Sequence, residues 1–173
     1  MVEEGRIYLG LGSNIADRFQ YLKKGIKLLN DHAHIWVVDK SHVYESAAMY
    51  NKDQEDFYNM VIKIETNLNP LQLLEEIKNI EIMVGRNPKE KNNMPRTLDV
   101  DILAIGDLII RTKILNIPHP KIAERKFVLK PWHDIASDFM VPNIDKNIAE
   151  LLQNTEDGSS TRMVLILDKE DSI

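Results

Sequence analysis

The sequence predicts an α+β fold in which an antiparallel sheet carries two helices on one face. Three observations support this prediction. Segments with the two-residue periodicity or composition of β-strands recur at residues 6–12, 35–46, 57–66 and 98–105. Two stretches with apolar residues spaced by three and four lie after the first and third of these segments. The chain of 173 residues is long enough to bury one core, and a single domain over residues 1–173 is expected.

The first strand is expected to end in the turn-forming sequence Gly12-Ser13-Asn14. A helix should begin near Asp17, because four apolar residues then follow on one helical face: Phe19, Leu22, Ile26 and Leu29. In the 57–66 strand, Met60, Ile62 and Ile64 alternate with Val61, Lys63 and Glu65. Asn69-Pro70 opens the second helix, since proline suits the first helical turn. Its apolar stripe is Leu73, Leu74, Ile77, Ile80 and Val84, and Gly85 is expected to end it.

The polar residues 87–94 are the best candidate for a mobile loop. After the 98–105 strand, Gly106-Asp107 predicts a hairpin leading to residues 108–111. Residues 117–120 (IPHP) should be extended, and the last 40 residues should form short helices and a strand at 163–167. The order β–α–β–β–α–β followed by C-terminal additions is the ferredoxin-like arrangement. That fold hosts many functions and decides none by itself.

Composition excludes several classes of function. A net charge of −5 argues against a general nucleic-acid binder, although local arginines or metal ions could still attract a small anion. The absence of cysteine rules out thiol chemistry and disulfides. Since no apolar run is long enough to span a bilayer and the first residues lack a signal-peptide core, no membrane association is expected, and a cytoplasmic location is the default.

The segment PRTLDVDIL at residues 95–103 is the most informative part of the chain. Strand periodicity places Asp99 and Asp101 on one face, with their Cβ atoms about 6.5–7 Å apart. Carboxylates at this spacing can lean toward one Mg²⁺ or a pair of ions, and Arg96 just before the strand offers a planar fork for phosphate. The alternative is two solvent-facing acids on an open sheet. Leu103 and Ile105 are expected to continue this face with apolar side chains, and aspartate is a poor strand former, so the pair needs a reason.

Other polar and aromatic residues allow two interpretations. The basic residues spread over 40 positions are ordinarily a solvated surface, although they flank the carboxylate strand: Arg86, Lys89, Arg96, His119 and Arg125. His119 lies on stiff backbone between two prolines, which suits a fixed donor to phosphate. Phe57 and Phe127, taken singly, are more typical of a core than of a ligand stack. Asn59 on the Phe57 face offers a donor and acceptors to a flat heterocycle.

Together these segments resemble the 6-hydroxymethyl-7,8-dihydropterin pyrophosphokinase family of folate biosynthesis. The resemblance runs from Tyr8 to about Pro131 and follows the family's order. It is carried by YLGLGSN, VYES, DFYN, IKNIE–GR, PRTLDVDIL, IPHP and ER-F-L-P, of which PRTLDVDIL is the most specific. The resemblance implies transfer of an intact pyrophosphoryl group from ATP to the pterin hydroxymethyl oxygen, with AMP and the pterin diphosphate as products. A monomer is the family-based expectation.

The resemblance also implies residue roles. Asp99 and Asp101 would hold two Mg²⁺ against the ATP phosphates, and Arg86 and Arg96 would contact phosphate at the two ends of the loop. The ATP side would further include Glu81, Lys89, His119 and Arg125. The pterin would lie between Phe57 and Phe127, with its edge read by Asn59 and Ser46 nearby. MgATP would bind first and order residues 87–94, which would complete the pterin site.

The chain departs from the family pattern at Asn93, where relatives carry a loop tryptophan, and at Pro120, Ile114 and residues 47–55. Altered affinity or loop kinetics is the expected consequence. Two rival functions are a ferredoxin-like RNA- or ligand-binding module and a nucleotidyl- or glycosyltransferase that uses the Asp-x-Asp pair. RNA binding would need sheet aromatics and basic charge, which the 98–105 strand lacks. AMP release dependent on a hydroxymethyl pterin separates the first function from both rivals.

Overall fold

The computed structural model describes residues 6–49, 53–89 and 94–166. Its main strands are β1 (Ile7–Ser13), β2 (Ile35–Lys40), β3 (Val43–Ser46), β4 (Phe57–Thr66) and β5 (Asp99–Ile105). Shorter strands follow: β6 (Ile110–Arg111), β7 (Asn116–Ile117), β8 (Met140–Val141), β9 (Lys146–Asn147) and β10 (Thr161–Leu165). The helices are α1 (Arg18–Asn30), α2 (Pro70–Met83), α3 (Lys126–Ala136) and α4 (Ile148–Asn154), with a 3₁₀ turn at Ile122–Glu124.

The main sheet is antiparallel, as predicted. Its strand order is β10–β3–β4–β1–β5, and β2 pairs with the far end of β4. The central strand β1 lies between β4 and β5, so Gly12 is opposite Asn59 on one side and Asp99 on the other. This register brings residues more than 80 positions apart in the chain to neighbouring positions.

Local sequence explains where the two long helices begin and end. The Asp17 side chain accepts a hydrogen bond from the Gln20 amide at the start of α1. At the start of α2, Asn69 and Gln72 form a reciprocal capping box. Gly85 follows α2 with φ of +108°, a left-handed conformation that glycine adopts without steric cost. The predicted starts near Asp17 and at Asn69-Pro70 are confirmed.

The sheet has a buried layer on each face. Helices α1 and α2 cover one face over an aliphatic core that includes Leu9, Ile62 and Ile77. Helices α3 and α4 cover part of the other face, where Tyr8 packs against Trp132 and Phe139 with ring centroids 5.2 and 4.9 Å away. The helical cover on this second face, expected only as unspecified additions, forms one wall of the site described below.

Three sequence expectations were wrong in detail. The chain does not turn at Gly12, because β1 stays paired with β4 through Ser13. Ile105 does not share the face of Leu103: a bulge at Leu103 rotates the end of β5, so Ile105 joins Val100 in the α1–α2 core. The Gly106-Asp107 turn does not form a hairpin with β5, since β6 pairs instead with β7. Within the described residues, no helix combines the length and apolarity needed to cross a bilayer.

Candidate active site

A cleft of about 400 Å³ lies over β1, β4 and β5, beside the start of α3. Gly10 and Gly12 of β1 form part of the floor of this cleft. Most of the predicted site residues line it: Ser46, Phe57, Asn59, Arg96, Asp99, Asp101, His119, Arg125 and Phe127. The fold thus joins residues from β3, β4, β5 and the start of α3 around one space.

Asp99 is the centre of a charged cluster at one end of the cleft. Its Oδ1 accepts a hydrogen bond from Arg96 Nη1 at 2.6 Å and lies 3.3 Å from Arg86 Nη1. Both guanidinium groups are largely buried, with 17 and 21 % of their side chains exposed. Their positive charge stabilises the Asp99 carboxylate and leaves a cationic rim that would attract phosphate.

Glu81 lies behind this cluster rather than in the cleft wall. Its side chain is 1 % exposed, and its carboxylate pairs with both Arg86 and Lys78 Nζ. Glu81 Oε1 also accepts the Val100 amide at 2.7 Å, and Lys78 Nζ lies 3.4 Å from the Val100 carbonyl oxygen. Because β5 is an edge strand, the amide and carbonyl of Val100 have no partner strand on this side. The Glu81 and Lys78 side chains contact these backbone groups instead, between Asp99 and Asp101.

Asp101 occupies the same face of β5 one step deeper. Loss of hydration and the nearby Asp99 carboxylate raise the pKa of Asp101 to about 6, against the opposing influence of Lys78 and Arg125. The Arg125 guanidinium is 3.8 Å from Asp101 Oδ2. About 39 % of the Asp101 side chain still faces the cleft, so its oxygens are open to a ligand. Two neighbouring carboxylates repel each other when both are ionised. A cation bound between them would relieve this repulsion.

The donor set fits Mg²⁺. Over the residues that the structure describes, no group of three or more His, Cys, Asp or Glu side chains is placed to hold a metal ion. Asp99 and Asp101 would therefore supply carboxylate oxygens alone. Mg²⁺ is commonly bound in this way, through one or two carboxylates, with substrate phosphates and water completing its shell. A closed zinc site would require more protein ligands.

His119 is half-buried beside these charges and is neutral near pH 7. Burial, followed by the Arg125 and Lys121 charges, lowers the pKa of His119 to about 4, while Asp99 acts in the opposite direction. Its Nδ1 accepts the Lys121 amide at 3.2 Å, which leaves the proton on Nε2. The imidazole is thus fixed as a neutral hydrogen-bond donor through Nε2.

The other half of the cleft is flat and mostly uncharged. Asn59 is buried, and its Nδ2 donates to Ser46 Oγ at 2.8 Å. A side chain at Gly12 would approach Asn59 Oδ1 to 3.3 Å and Phe57 to 3.5 Å, so glycine leaves room for both groups. Phe57 and Phe127 both face the cleft from different elements. An aromatic ring and an orientated amide are a suitable surface for a planar heterocycle.

Arg125 connects the two halves. Its guanidinium lies between Asp101 and the Phe127 ring, 5.7 Å from the ring centroid. The buried Nε of Arg125 has no acceptor within the described part of the chain. A buried donor of this kind is costly unless a ligand or water satisfies it.

Asn14 was not predicted as a site residue, although the sequence contained it in the GSN turn. It is buried; its Oδ1 accepts the Arg96 amide at 2.7 Å, and its Nδ2 donates to Gln54 at 2.8 Å. Asn14 therefore ties the end of β1 to Arg96 and to the segment before β4. Its place in the YLGLGSN segment was the sequence signal for it, whereas its two partners follow only from the three-dimensional structure.

Lys89 lies outside this cluster. It is exposed, and its amide donates to the Asn87 side chain at 3.0 Å. Residues 90–93, which include the departure at Asn93, lie outside the described residues, so the loop prediction for 87–94 stays a prediction. The departure at Ile114 is 71 % exposed on the turn between β6 and β7, away from the cleft lining.

Fold and cleft together define a class of protein: an α+β domain whose antiparallel sheet carries an acidic pair ringed by arginines beside an aromatic pocket. Residues 8–137 match the family described as 7,8-dihydro-6-hydroxymethylpterin-pyrophosphokinase (HPPK). The chain belongs to this family, as its sequence resemblance predicted.

Two bacterial relatives with a named activity match this chain over most of their length, whereas the chain spans about a quarter of a longer fungal relative. The 2-amino-4-hydroxy-6-hydroxymethyldihydropteridine pyrophosphokinase of Bacillus subtilis is 44 % identical over 74 % of this chain and 76 % of the relative. The enzyme of the same name from Aquifex aeolicus is 41 % identical over 83 % of this chain and 88 % of the relative. The folic acid synthesis protein fol1 of Pneumocystis carinii is 38 % identical over 99 % of this chain, which spans 23 % of that relative's length.

A solved structure has the same fold at low sequence identity. The Plasmodium falciparum HPPK-DHPS crystallised with pterin and p-hydroxybenzoate superposes with a TM-score of 0.68 at 16 % identity. The match covers 87 % of this chain and 42 % of that one. This likeness supports the α+β architecture.

Proposed function

We propose that this chain transfers the pyrophosphoryl group of ATP to 6-hydroxymethyl-7,8-dihydropterin, giving AMP and the pterin diphosphate in folate biosynthesis. Family membership and the two bacterial relatives support the reaction. The observation that carries it is the joining, in one cleft, of an Asp99–Asp101 pair ringed by arginines with an aromatic and amide surface. A charged half suits a triphosphate, and a flat half suits a pterin.

Asp99 and Asp101 would hold Mg²⁺, and two ions are proposed. When bound, Mg²⁺ would neutralise phosphate charge and help align the attacking and leaving oxygens. Arg86 and Arg96, now paired with Asp99, would turn toward the phosphates as the carboxylate engages cations. His119 would donate from Nε2, and Arg125 would add its guanidinium charge to the same anionic region.

Two further residues on the nucleotide side have different proposed parts. Glu81 is engaged by Lys78, Arg86 and the Val100 amide, which supports a role in positioning Arg86 and β5 more than direct contact with ATP. Lys89 would approach ATP from the loop. Its exposed position supports this role, since loops that border a site commonly close over the substrate.

The pterin would stack between Phe57 and Phe127. Asn59, held by Ser46, would present its Oδ1 to the ring edge. The hydroxymethyl group would then point toward the carboxylates, and its attacking oxygen would lie near the β-phosphorus of ATP. Positioning of this kind supplies much of the rate enhancement in phosphoryl transfer, which needs little covalent help from the protein.

The arrangement of the seven elements from β1 to β5 is inferred to be ferredoxin-like, with β2 and β3 together in the place of the second strand. The strand order β5–β1–β4, with β2 and β3 beyond, supports this inference. A single pyrophosphokinase domain over 1–173, a monomeric state and a cytoplasmic location stay predictions. The RNA-binding alternative loses support because α3 packs against the sheet face that would have to be open.

Titration of the chain with ATP, Mg²⁺ and 6-hydroxymethyl-7,8-dihydropterin tests the proposal, with AMP and pterin diphosphate followed by chromatography. We expect equal amounts of both products, each dependent on Mg²⁺ and on the pterin. Pyrophosphate release without the pterin diphosphate would instead indicate nucleotidyl transfer. No reaction with any combination of these substrates would overturn the assignment.

A further inference from the structure

The start of α3 has no side-chain cap from its own N-terminal residues. Arg125 occupies the N-cap position, and its side chain makes no capping hydrogen bond. The first helical amide, that of Lys126, instead donates to Asp157 Oδ2 at 2.8 Å. Asp157 thus caps the helix from a distant segment. Helix α3 ends at Ala136, and the segment with Asp157 begins 19 residues later, after α4.

Asp157 is itself held in place by a small network. Its Oδ1 accepts the Ser159 amide at 2.9 Å, and its own amide donates to Thr155 Oγ1 at 3.3 Å. Thr155 Oγ1 donates to the Ala123 carbonyl at 3.0 Å, in the turn just before α3. The segment 155–159 is therefore bonded to the chain on both sides of Arg125, at Ala123 and at Lys126, and the second of these bonds directly precedes Phe127.

A second attachment lies one turn further along α3. Lys130 Nζ donates to the carbonyl of Thr161 at 2.6 Å, and Thr161 begins β10 opposite Ser46. The C-terminal segment consequently connects the helix that carries Phe127 to the strand that carries Ser46. Residues 155–161 lie outside the 8–137 region matched by the family model.

From this geometry we propose that Asp157 is a positioning residue, which fixes the start of α3 so that Arg125 and Phe127 meet the nucleotide and the pterin in the cleft. The proposal rests on the function proposed above. A carboxylate at a helix N-terminus bonds an otherwise unpartnered amide and also interacts favourably with the helix dipole. Removing it would allow the first turn to fray, and both cleft residues lie within two positions of that end.

The test compares two ways of breaking one hydrogen bond. Asp157→Ala removes the acceptor, and Lys126→Pro removes the donor at a helix position that tolerates proline and follows an extended Arg125. Glu156→Ala, an exposed neighbouring acid, and Lys126→Ala, which retains the amide, are the matched controls. Affinities for the pterin and for a non-hydrolysable ATP analogue are measured by calorimetry, well below each variant's melting temperature.

We expect Asp157→Ala and Lys126→Pro each to weaken pterin binding roughly threefold to tenfold. The double variant should be no worse than either single one, and Asp157→Asn, which keeps an acceptor, should recover most of the affinity. Both controls should bind like the unmodified chain. A purely structural role would lower the melting temperature and leave these affinities unchanged.

Two results separate the possible failures. If the unmodified chain forms AMP and both bond-breaking variants bind the pterin and the nucleotide normally, the positioning role of Asp157 is wrong and the proposed function stands. If the unmodified chain forms no AMP with any substrate combination, both proposals are overturned. Should Asp157→Ala fail to fold, Lys126→Pro decides the question alone.

Discussion

The two halves of the cleft are held together by different kinds of interaction. The acidic half is a chain of ion pairs, in which Glu81 and Asp99 share Arg86, and Asp99 also binds Arg96. The flat half, with Ser46, Asn59, Phe57 and Phe127, has a shape set by strand register and by a buried hydrogen bond from Asn59 to Ser46. Under the proposed function, the first arrangement would have to exchange partners on binding phosphates and cations, whereas the second could receive a flat ring without rearrangement.

This difference suggests where binding energy and where catalysis reside. Charges that already neutralise one another can be redirected toward a transition state without being desolvated afresh. A pre-formed aromatic surface favours substrate affinity, because little conformational freedom is lost on binding. Variants in the acidic half should therefore reduce turnover, and variants in the flat half should reduce pterin affinity.

The largest effect is expected from the carboxylates. Asp99→Asn and Asp101→Asn should each lower the rate of AMP formation by at least roughly a hundredfold, because each removes a proposed metal ligand. Pterin binding in the absence of ATP should be almost unchanged. The measurement is steady-state AMP release at saturating substrates, with Asp107→Asn as the control, since that side chain is 77 % exposed beyond the end of β5. Near-normal turnover by either site variant would refute the metal assignment.

The next effect concerns the support behind the acidic half. Glu81→Gln should lower the free energy of unfolding by roughly 2 to 3 kcal/mol, because it leaves the Lys78 and Arg86 charges without their buried partner. Urea denaturation measures this change. Glu75→Gln, on the exposed side of the same helix, should alter stability by less than about 0.5 kcal/mol. Equal stability of the Glu81 and Glu75 variants would show that the buried ion pairs do not hold β5.

Sequence periodicity predicted the elements of the acidic half well, because that half is local. Glu81 and Arg86 lie at the end of α2, and Arg96 and Asp99 lie at the start of β5, so four charges fall within 19 consecutive residues. The β5 pairing and the Val100 contact with Glu81 were not predictable, because they depend on which strand edge is left free. The bulge at Leu103, which turned Ile105 to the other face, has no marker in the sequence such as glycine.

The flat half was predicted mainly through family resemblance, since the only signal from the residues themselves was Asn59 on the strand face of Phe57. Ser46, Asn59 and Phe127 are separated by long stretches of chain, and periodicity alone left Phe57 and Phe127 as ordinary core residues. The helix that brings Phe127 to the cleft is positioned by residues after 150, for which the sequence offered no more than short elements. Long-range hydrogen bonds of this kind carry no local periodicity, so pattern analysis does not detect them.

A smaller effect is expected in the flat half. Phe57→Ala should weaken pterin binding roughly tenfold through loss of stacking and apolar contact, and should change affinity for an ATP analogue by less than about twofold. Calorimetric titration of each ligand alone makes the comparison. Phe19→Ala, which removes a partly buried ring on α1 outside the cleft, controls for general destabilisation. Equal losses for pterin and nucleotide would contradict the division of the cleft into two halves.

The smallest effect is expected at α3, which serves both halves through Arg125 and Phe127. Partial burial raises the pKa of Asp157, but hydrogen bonds from Ser159 and Lys126 outweigh it and hold the pKa below its usual 3.8. A carboxylate with a lowered pKa stabilises the folded chain above its unfolded-state pKa, and this stabilisation is lost as the pH falls through the folded-state value. Asp157→Asn should thus melt roughly 2 °C below the unmodified chain at pH 7.

That difference should shrink as the pH is lowered through 3.8 and beyond, where protonation makes the aspartate resemble its amide. Thermal unfolding followed by circular dichroism from pH 7 to pH 3 measures it, with Glu156→Gln as the neighbouring control of equal charge change. A difference that stays constant or grows in acid would mean that the Asp157 carboxylate does not stabilise α3 as an anion. The two halves of the cleft would then share a helix whose position depends on packing alone, and the link between the C-terminal segment and substrate binding would lose its electrostatic basis.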